Sequence, residues 1–212
     1  MGNIVVAPVG DNIDALFVGM REFPTEKVVL ISTAKNMEKA EKAKKELERF
    51  KVPATIKMIE GDIWEGTFKL VADIKHIEKG KEIIINTSTA GHSDYGCAAC
   101  SAAFVNGLKA ISVKNDHTKM LPIFKFNYYS LISDKKKEIL MFLFNEKDCC
   151  SSLQKMSEMT GMSLPLISYH INGNLKSQGL KEMGLVHTTE DKGKVSVKLT
   201  TLGRLLVQGY VE

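Results

Sequence analysis

Residues 82–93 read Glu82-Ile83-Ile84-Ile85-Asn86-Thr87-Ser88-Thr89-Ala90-Gly91-His92-Ser93. Three consecutive isoleucines give way at once to eight small or polar residues. A short apolar run of β-branched residues reads as a buried strand, here residues 82–87. The polar stretch behind it is longer than a turn requires. Its hydroxyls and backbone N–H groups suit an anionic, oxygen-rich ligand, although Ser, Thr, Asn and Gly are also ordinary loop formers.

Outward from this stretch the chain alternates strand and helix. Residues 3–8 form a strand ending in Val9-Gly10-Asp11-Asn12, and helical spacing follows at Ile13, Leu16, Phe17 and Met20. Residues 27–32 are a second strand. Residues 35–50 are an amphipathic helix with Met37, Ala40, Ala43, Leu47 and Phe50 on one face. Its charges pair at i,i+4 (Glu38 with Lys42, Glu41 with Lys45), which marks a solvated face and not a nucleic-acid patch. Pro53 opens a third strand over 54–59, and Asp62 caps a helix to about residue 79. A small-residue helix over 95–106, a fifth strand over 109–114 and a β-rich tail over 121–129 complete the series. This grammar predicts an α/β fold, a Rossmann-like open parallel sheet with helices on both faces, because parallel strands need crossovers. Ligands of such sheets bind at the carboxyl ends of the strands, near the switch in strand order. The loops after the first and fourth strands are therefore the candidates. Neither familiar phosphate motif is present: there is no G-x-G-x-x-G, no Walker A, and no acidic residue where the second strand ends in Ile31-Ser32-Thr33.

Composition narrows the class. The 212 residues are 44% apolar and 25% charged, as in an ordinary globular protein, and carry a formal charge of +4. No stretch offers the ~18–20 apolar residues of a membrane span, and the start lacks the features of a signal peptide or a myristoylation site. Cys97 and Cys100 stand in C-x-x-C spacing inside an Ala-rich helix, and Cys149 and Cys150 are adjacent. Without further ligands at zinc spacing these read as structural thiols in a reducing cytoplasm, with no metal and no cofactor expected.

After residue 131 the alternation stops. Ser133-Asp134 starts a helix to about residue 145, and a second helix spans about 152–159. Gly161 then supplies a turn, and Ser163 caps a third helix with Pro165 in its first turn. In that helix Ile167, Ile171 and Leu175 recur at i, i+4, i+8 and are expected inside, with Ser168, Tyr169, Asn172 and Lys176 outside. A hairpin follows, residues 185–189 and 195–199 around Asp191-Lys192-Gly193, then a last helix over 201–210. Three helices and a hairpin with a basic tip form the winged helix-turn-helix arrangement, whose recognition helix enters the major groove while the wing touches phosphate. The DNA-facing candidates are Ser163, Pro165, Ser168, Tyr169, His170, Asn172 and Lys176, with Lys192, Lys194 and Lys198 on the wing. His170 either packs inside the motif or reaches a base. The alternative use of such a domain is contact with protein only. Charge does not separate the halves: residues 1–131 hold 18 Lys/Arg against 16 Asp/Glu, and residues 132–212 hold 11 against 9. Binding to double-stranded DNA must then rest on placement of charge, and on dimerisation.

The run from Ser163 through Leu180, and Val197-Lys-Leu-Thr-x-x-Gly203-Arg204 after the wing, resemble ArsR- and MarR-type regulators. A first-strand P-x-G loop, a fourth-strand N-x-S-T-x-G loop and a C-terminal winged helix together resemble the archaeal CARF (CRISPR-associated Rossmann fold)–winged-helix transcriptional regulators. That resemblance implies a homodimer sensing a nucleotide second messenger, a cyclic oligoadenylate, on its two-fold axis. It implies a cavity lined by Pro8, Gly10 and Asp11 on one side and Asn86, Ser88, Thr89, Ala90 and Gly91 on the other. His92 stands where that family often has Lys or Arg. The Ala-rich helix suits close packing across the dimer axis or on the sheet. The expectation is a sensing domain over 1–131, a DNA-binding domain over 132–212 and a ligand-responsive regulator without catalytic residues. A ring nuclease using His92, Ser88 or Asp11, and a protein-interaction module, are the competing readings.

Overall fold

The structure, a computed structural model, describes residues 2–91, 93–122, 132–146, 151–191 and 193–209. The chain divides into two compact units, one of residues 1–128 and 209–212 and one of residues 129–208.

In the first unit the elements are β1 (Asn3–Pro8), α1 (Ala15–Glu22), β2 (Thr25–Ser32), α2 (Met37–Arg49), β3 (Ala54–Met58), α3 (Ile63–Ile77), β4 (Ile83–Asn86), α4 (Asp94–Asn106), β5 (Lys109–Lys114) and β6 (His117–Met120). They build one six-stranded sheet in the order β3-β2-β1-β4-β5-β6. All neighbours are parallel except β5 and β6. The sheet is thus mixed, and β6 was not foreseen as a strand. Asn115 (φ 51°) and Asp116 (φ 58°) both take left-handed backbone, the two-residue turn whose twist matches an antiparallel hairpin. Part of the β-rich tail expected over 121–129 lies outside the described residues.

Alternation along β1 and β2 sorts the core. Val5, Ala7 and Val9 with Val28 and Leu30 pack against Leu16 of α1 and Ala40, Ala43 and Leu47 of α2. On the opposite face α4 packs against β1, β4 and β5, with α3 beside it. Asp62 caps α3, its carboxylate accepting from the Trp64 and Glu65 N–H groups. Lys75 of α3 donates Nζ to the Asn106 carbonyl at the end of α4 (2.9 Å), and burial pushes its ammonium below the ordinary lysine value.

The Ala-rich face of α4 is consumed inside this unit. Ala98, Ala99, Ala102 and Ala103 are all fully buried in the single chain, so they offer nothing to a dimer axis.

In the second unit the elements are α5 (Asp134–Asn145), β7 (Ser151–Ser152), α6 (Leu153–Thr160), α7 (Leu164–Asn172), β8 (Gly173–Asn174), β9 (Ser177–Gln178), β10 (Val186–Asp191), β11 (Lys194–Leu199) and α8 (Thr201–Gln208). β10 and β11 form an antiparallel hairpin, and β11 also pairs with β7. Ile139, Leu140, Met156, Ile167, Ile171, Leu180, Leu185 and Val197 make the core of the unit. Ser152 caps α6 through its hydroxyl, which accepts from Lys155 N (3.1 Å). Gly161 ends α6 in left-handed backbone (φ 68°).

One expectation fails here. Leu175 does not continue the inner face of α7; it is fully exposed. The helix stops at Asn172 because Gly173 takes φ 76° and ψ −170°, a backbone available essentially to glycine. The Asn174 side chain then accepts from Lys176 N and Ser177 N (both 2.9 Å), closing a tight β8–β9 turn. Lys176 therefore lies in that turn and not on the helix.

Candidate functional site

The strand order reverses between β1 and β4, so the loops that follow these two strands open side by side. A cleft of about 1030 Å³ lies at this end of the sheet. It is lined by Asp11 and Asn12 after β1, by Thr87, Ser88 and Gly91 after β4, by Ser93, Asp94, Gly96, Cys97 and Cys100 from the start of α4, and by Ser112, Val113 and Lys114 from β5.

The sequence candidates divide into two sets. Asp11, Ser88 and Gly91 line the cleft. Pro8, Gly10, Asn86, Thr89 and Ala90 are buried and build it. Asn86 donates Nδ2 to the Ala15 carbonyl (2.9 Å) and accepts from Ser88 N, tying the loop to α1. Thr89 Oγ1 donates back to the Asn86 carbonyl (2.9 Å). Gly10 N donates to the Thr89 carbonyl (3.1 Å), which joins the two loops. The polar groups of Gly10, Asn86 and Thr89 are thus engaged in holding the two loops together. His92 lies outside the described residues.

Ser88 spans both roles. Its Oγ accepts from Val113 N (2.7 Å) and pairs with Ser112 Oγ (3.2 Å), fixing the loop to the end of β5. Asp11 is exposed, and Lys39 donates Nζ to its carboxylate (2.8 Å). That hydrogen bond, the charge of Lys39 and then that of Lys35 hold the Asp11 carboxyl below its ordinary value. Among the described residues, Asp11, Asp94 and Lys114 are the charged ones of the lining. Cys97 is exposed and Cys100 half-buried, both as free thiols. Burial, and then the neighbouring Cys97, raises the Cys100 thiol above its ordinary value. No cluster of three or more metal-ligating side chains occurs among the described residues.

Sequence reasoning missed the β5 contribution. Ser112 and Lys114 reach the cleft because β5 pairs with β4, so their carboxyl ends share one edge.

In the second unit the exposed side of α7 and the turn beyond it carry Ser163, Leu164, Pro165, Leu166, Tyr169, Asn172, Leu175 and Lys176, with Ser168 half-buried. Ser163 holds the N-cap position, but its hydroxyl makes no capping bond. Lys194 and Lys198 are exposed on β11, whereas Lys192 lies outside the described residues. His170 is buried, so it packs and does not project to a base. Its ring stands edge-on to Tyr169 at 5.2 Å between centroids. Among the described residues neither ring nitrogen has a hydrogen-bond partner. Beneath it the buried Lys136 donates Nζ to the Gln178 carbonyl (2.5 Å), tying α5 to the β8–β9 turn. Burial first, and then the ammonium groups of Lys136 and Lys135, push His170 below the ordinary histidine value.

No family model matches the chain. It is 27% identical over 141 residues to the HTH-type transcriptional repressor YetL of Bacillus subtilis (strain 168), a match covering 66% of this chain and 77% of the repressor. Its fold is similar to the crystal structure of protein VC1899 from Vibrio cholerae, with a TM-score of 0.51, 11% identity and 98% of this chain covered. Can2 from Sulfobacillus thermosulfidooxidans, solved in complex with cyclic tetra-adenylate, gives a TM-score of 0.47 at 12% identity, again over 98% of this chain. The chain spans 64% of the length of each of these two structures. No helix among the described residues is long and apolar enough to cross a membrane.

Proposed function

We propose that this chain is a ligand-responsive, DNA-binding transcriptional regulator. The observation that carries this reading is the order α6–turn–α7 followed by the β10–β11 hairpin, with exposed residues along α7 and exposed lysines on β11. We read that order as a winged helix-turn-helix. The similarity to a helix-turn-helix repressor supports it independently.

The ligand is a cyclic oligoadenylate held at the carboxyl ends of β1, β4 and β5. Two observations support this: the switch-point cleft with its hydroxyl and backbone lining, and the two loop motifs that resemble the CARF family. Ligand acts by shifting the population of dimer geometries and so the spacing of two recognition helices. The site is read as a sensor and not as a catalyst. Ser88 Oγ already accepts the Val113 N–H and the Asp11 carboxylate holds Lys39, so neither stands ready as a general base.

A mobility-shift assay tests the reading. Duplexes covering the gene's own upstream region are titrated with the protein, with and without cyclic tetraadenylate. Retention that changes at least fivefold with the nucleotide is expected. Failure to retain any upstream duplex in either condition overturns it.

A further inference from the structure

The face that α7 turns to solvent has a chemistry that goes beyond a generic groove-binding helix. Leu164, Leu166 and Tyr169 are exposed large apolar side chains, and Pro165 is exposed among them. The polar positions of the helix and its cap are Ser163, Ser168 and Asn172, and α7 contains no Lys or Arg. An exposed apolar cluster marks an interaction surface.

The base edges of the major groove discriminate between occupants of such a face. Guanine is read most often by Arg or Lys on O6 and N7, and α7 has neither. The thymine 5-methyl is the apolar group of the groove, and adenine accepts a bidentate Asn. Asn172 is set for that role. Its Nδ2 donates to Ser168 Oγ (3.2 Å), which orients the amide and leaves the second N–H and Oδ1 for a base.

Charge complementarity favours DNA over a protein groove as the occupant. Lys176 stands in the β8–β9 turn beyond α7, and Lys194 and Lys198 stand on β11. All three are exposed, and among the described residues none is in an ion pair. An apolar helix accompanied by uncompensated cations matches a methyl-studded groove floor between phosphate backbones.

We infer that α7 reads A·T pairs: Leu164, Leu166 and Tyr169 contact thymine 5-methyl groups, and Asn172 bonds adenine N6 and N7. This inference rests on the reading of the unit as DNA-binding.

The test uses the full chain and a randomised duplex pool, selected with and without cyclic tetraadenylate. The best selected duplex is then remade with deoxyuridine at every thymidine, which removes only the methyl groups. Half-sites rich in A·T are expected. The uracil duplex should bind about fourfold more weakly per contacted methyl, the fold-change that ~0.8 kcal/mol per buried carbon corresponds to. L164A/L166A should narrow the difference between the two duplexes to the Tyr169 contact, L164A/L166A/Y169A should abolish it, and N172A should lose preference at one adenine position. Because the decisive change is made in the DNA, a poorly folded variant cannot hide the answer. G·C-rich half-sites, or equal binding of the thymine and uracil duplexes by the unaltered chain, overturn the inference and leave DNA binding standing. No enrichment of any duplex overturns both.

Discussion

Gly10 and Ala90 are in backbone contact: a Cβ built on Gly10 would stand 2.2 Å from the Ala90 carbonyl oxygen. The β1 and β4 loops can meet only because position 10 has no side chain. The neighbouring Gly91, at φ 70° and ψ −153°, takes a backbone that L side chains rarely adopt. Gly10→Ala must therefore push the two loops apart. We expect a loss of about 1–3 kcal/mol in unfolding free energy, the usual cost of overpacking, and a lost nucleotide response even below the melting temperature. Chemical denaturation with parallel ligand titration checks it. Unchanged stability would show that the loops separate freely.

Ser88→Ala removes the acceptor of the Val113 N–H and the partner of Ser112 Oγ. An N–H left without a partner in a half-buried position costs about 1–3 kcal/mol, against about 1 kcal/mol for an ordinary hydrogen bond. The stability loss should fall in the upper range and be localised. Amide exchange at Val113 should accelerate while the amides of Val5 and Val6 in β1 keep their protection.

How much of this was legible in the sequence follows from which facts are local. The strand–helix alternation and the two loops are local, and they appear in the structure at the carboxyl ends of adjacent strands. The role of Ser112 and Lys114 is non-local, because it depends on β5 lying beside β4. The small residues of α4 signalled close packing but not against what; the answer is inside the unit. At the end of α7 the helical spacing of Leu175 competed with Gly173 between two asparagines, and the turn chemistry won. For His170 pattern reading left packing and base contact open, since its neighbour Tyr169, one step round the same helix, is exposed; in the structure His170 is buried.

That burial gives the second unit a pH dependence. Folded, His170 titrates below its ordinary value; unfolded, it takes up a proton near 6.5. Above that pH both states are neutral there and His170 contributes nothing. As pH falls below about 6.5 the unfolded chain binds the proton first, so stability must fall with pH in that window. The melting temperature should drop from pH 7 toward pH 5, and His170→Leu should reduce the slope. Lys136→Met should do two things at once. It deprives the Gln178 carbonyl of its donor, at about 1–3 kcal/mol, and it raises the His170 pKa toward the ordinary value in an NMR titration. A slope unchanged by His170→Leu would place the acid sensitivity elsewhere.

The charges of the cleft make opposite predictions for an anionic ligand. Lys114 is the cation of the lining, at the exposed end of β5, while Asp11 and Asp94 are its anions. Lys114→Gln should weaken cyclic tetraadenylate about two- to fivefold, the range of an exposed charge contact worth ~0.3–1 kcal/mol. Asp11→Asn should act in the other direction. It removes a negative charge from the lining and releases Lys39, which now spends its ammonium on Asp11. The gain should be of similar size and should shrink as salt rises, because both groups are exposed to solvent. Calorimetric titrations of the two variants at 50 and 300 mM salt (about 14 and 6 Å of screening length) separate charge from shape. If both variants weaken binding alike, Asp11 holds the ligand directly and the phosphates do not face it.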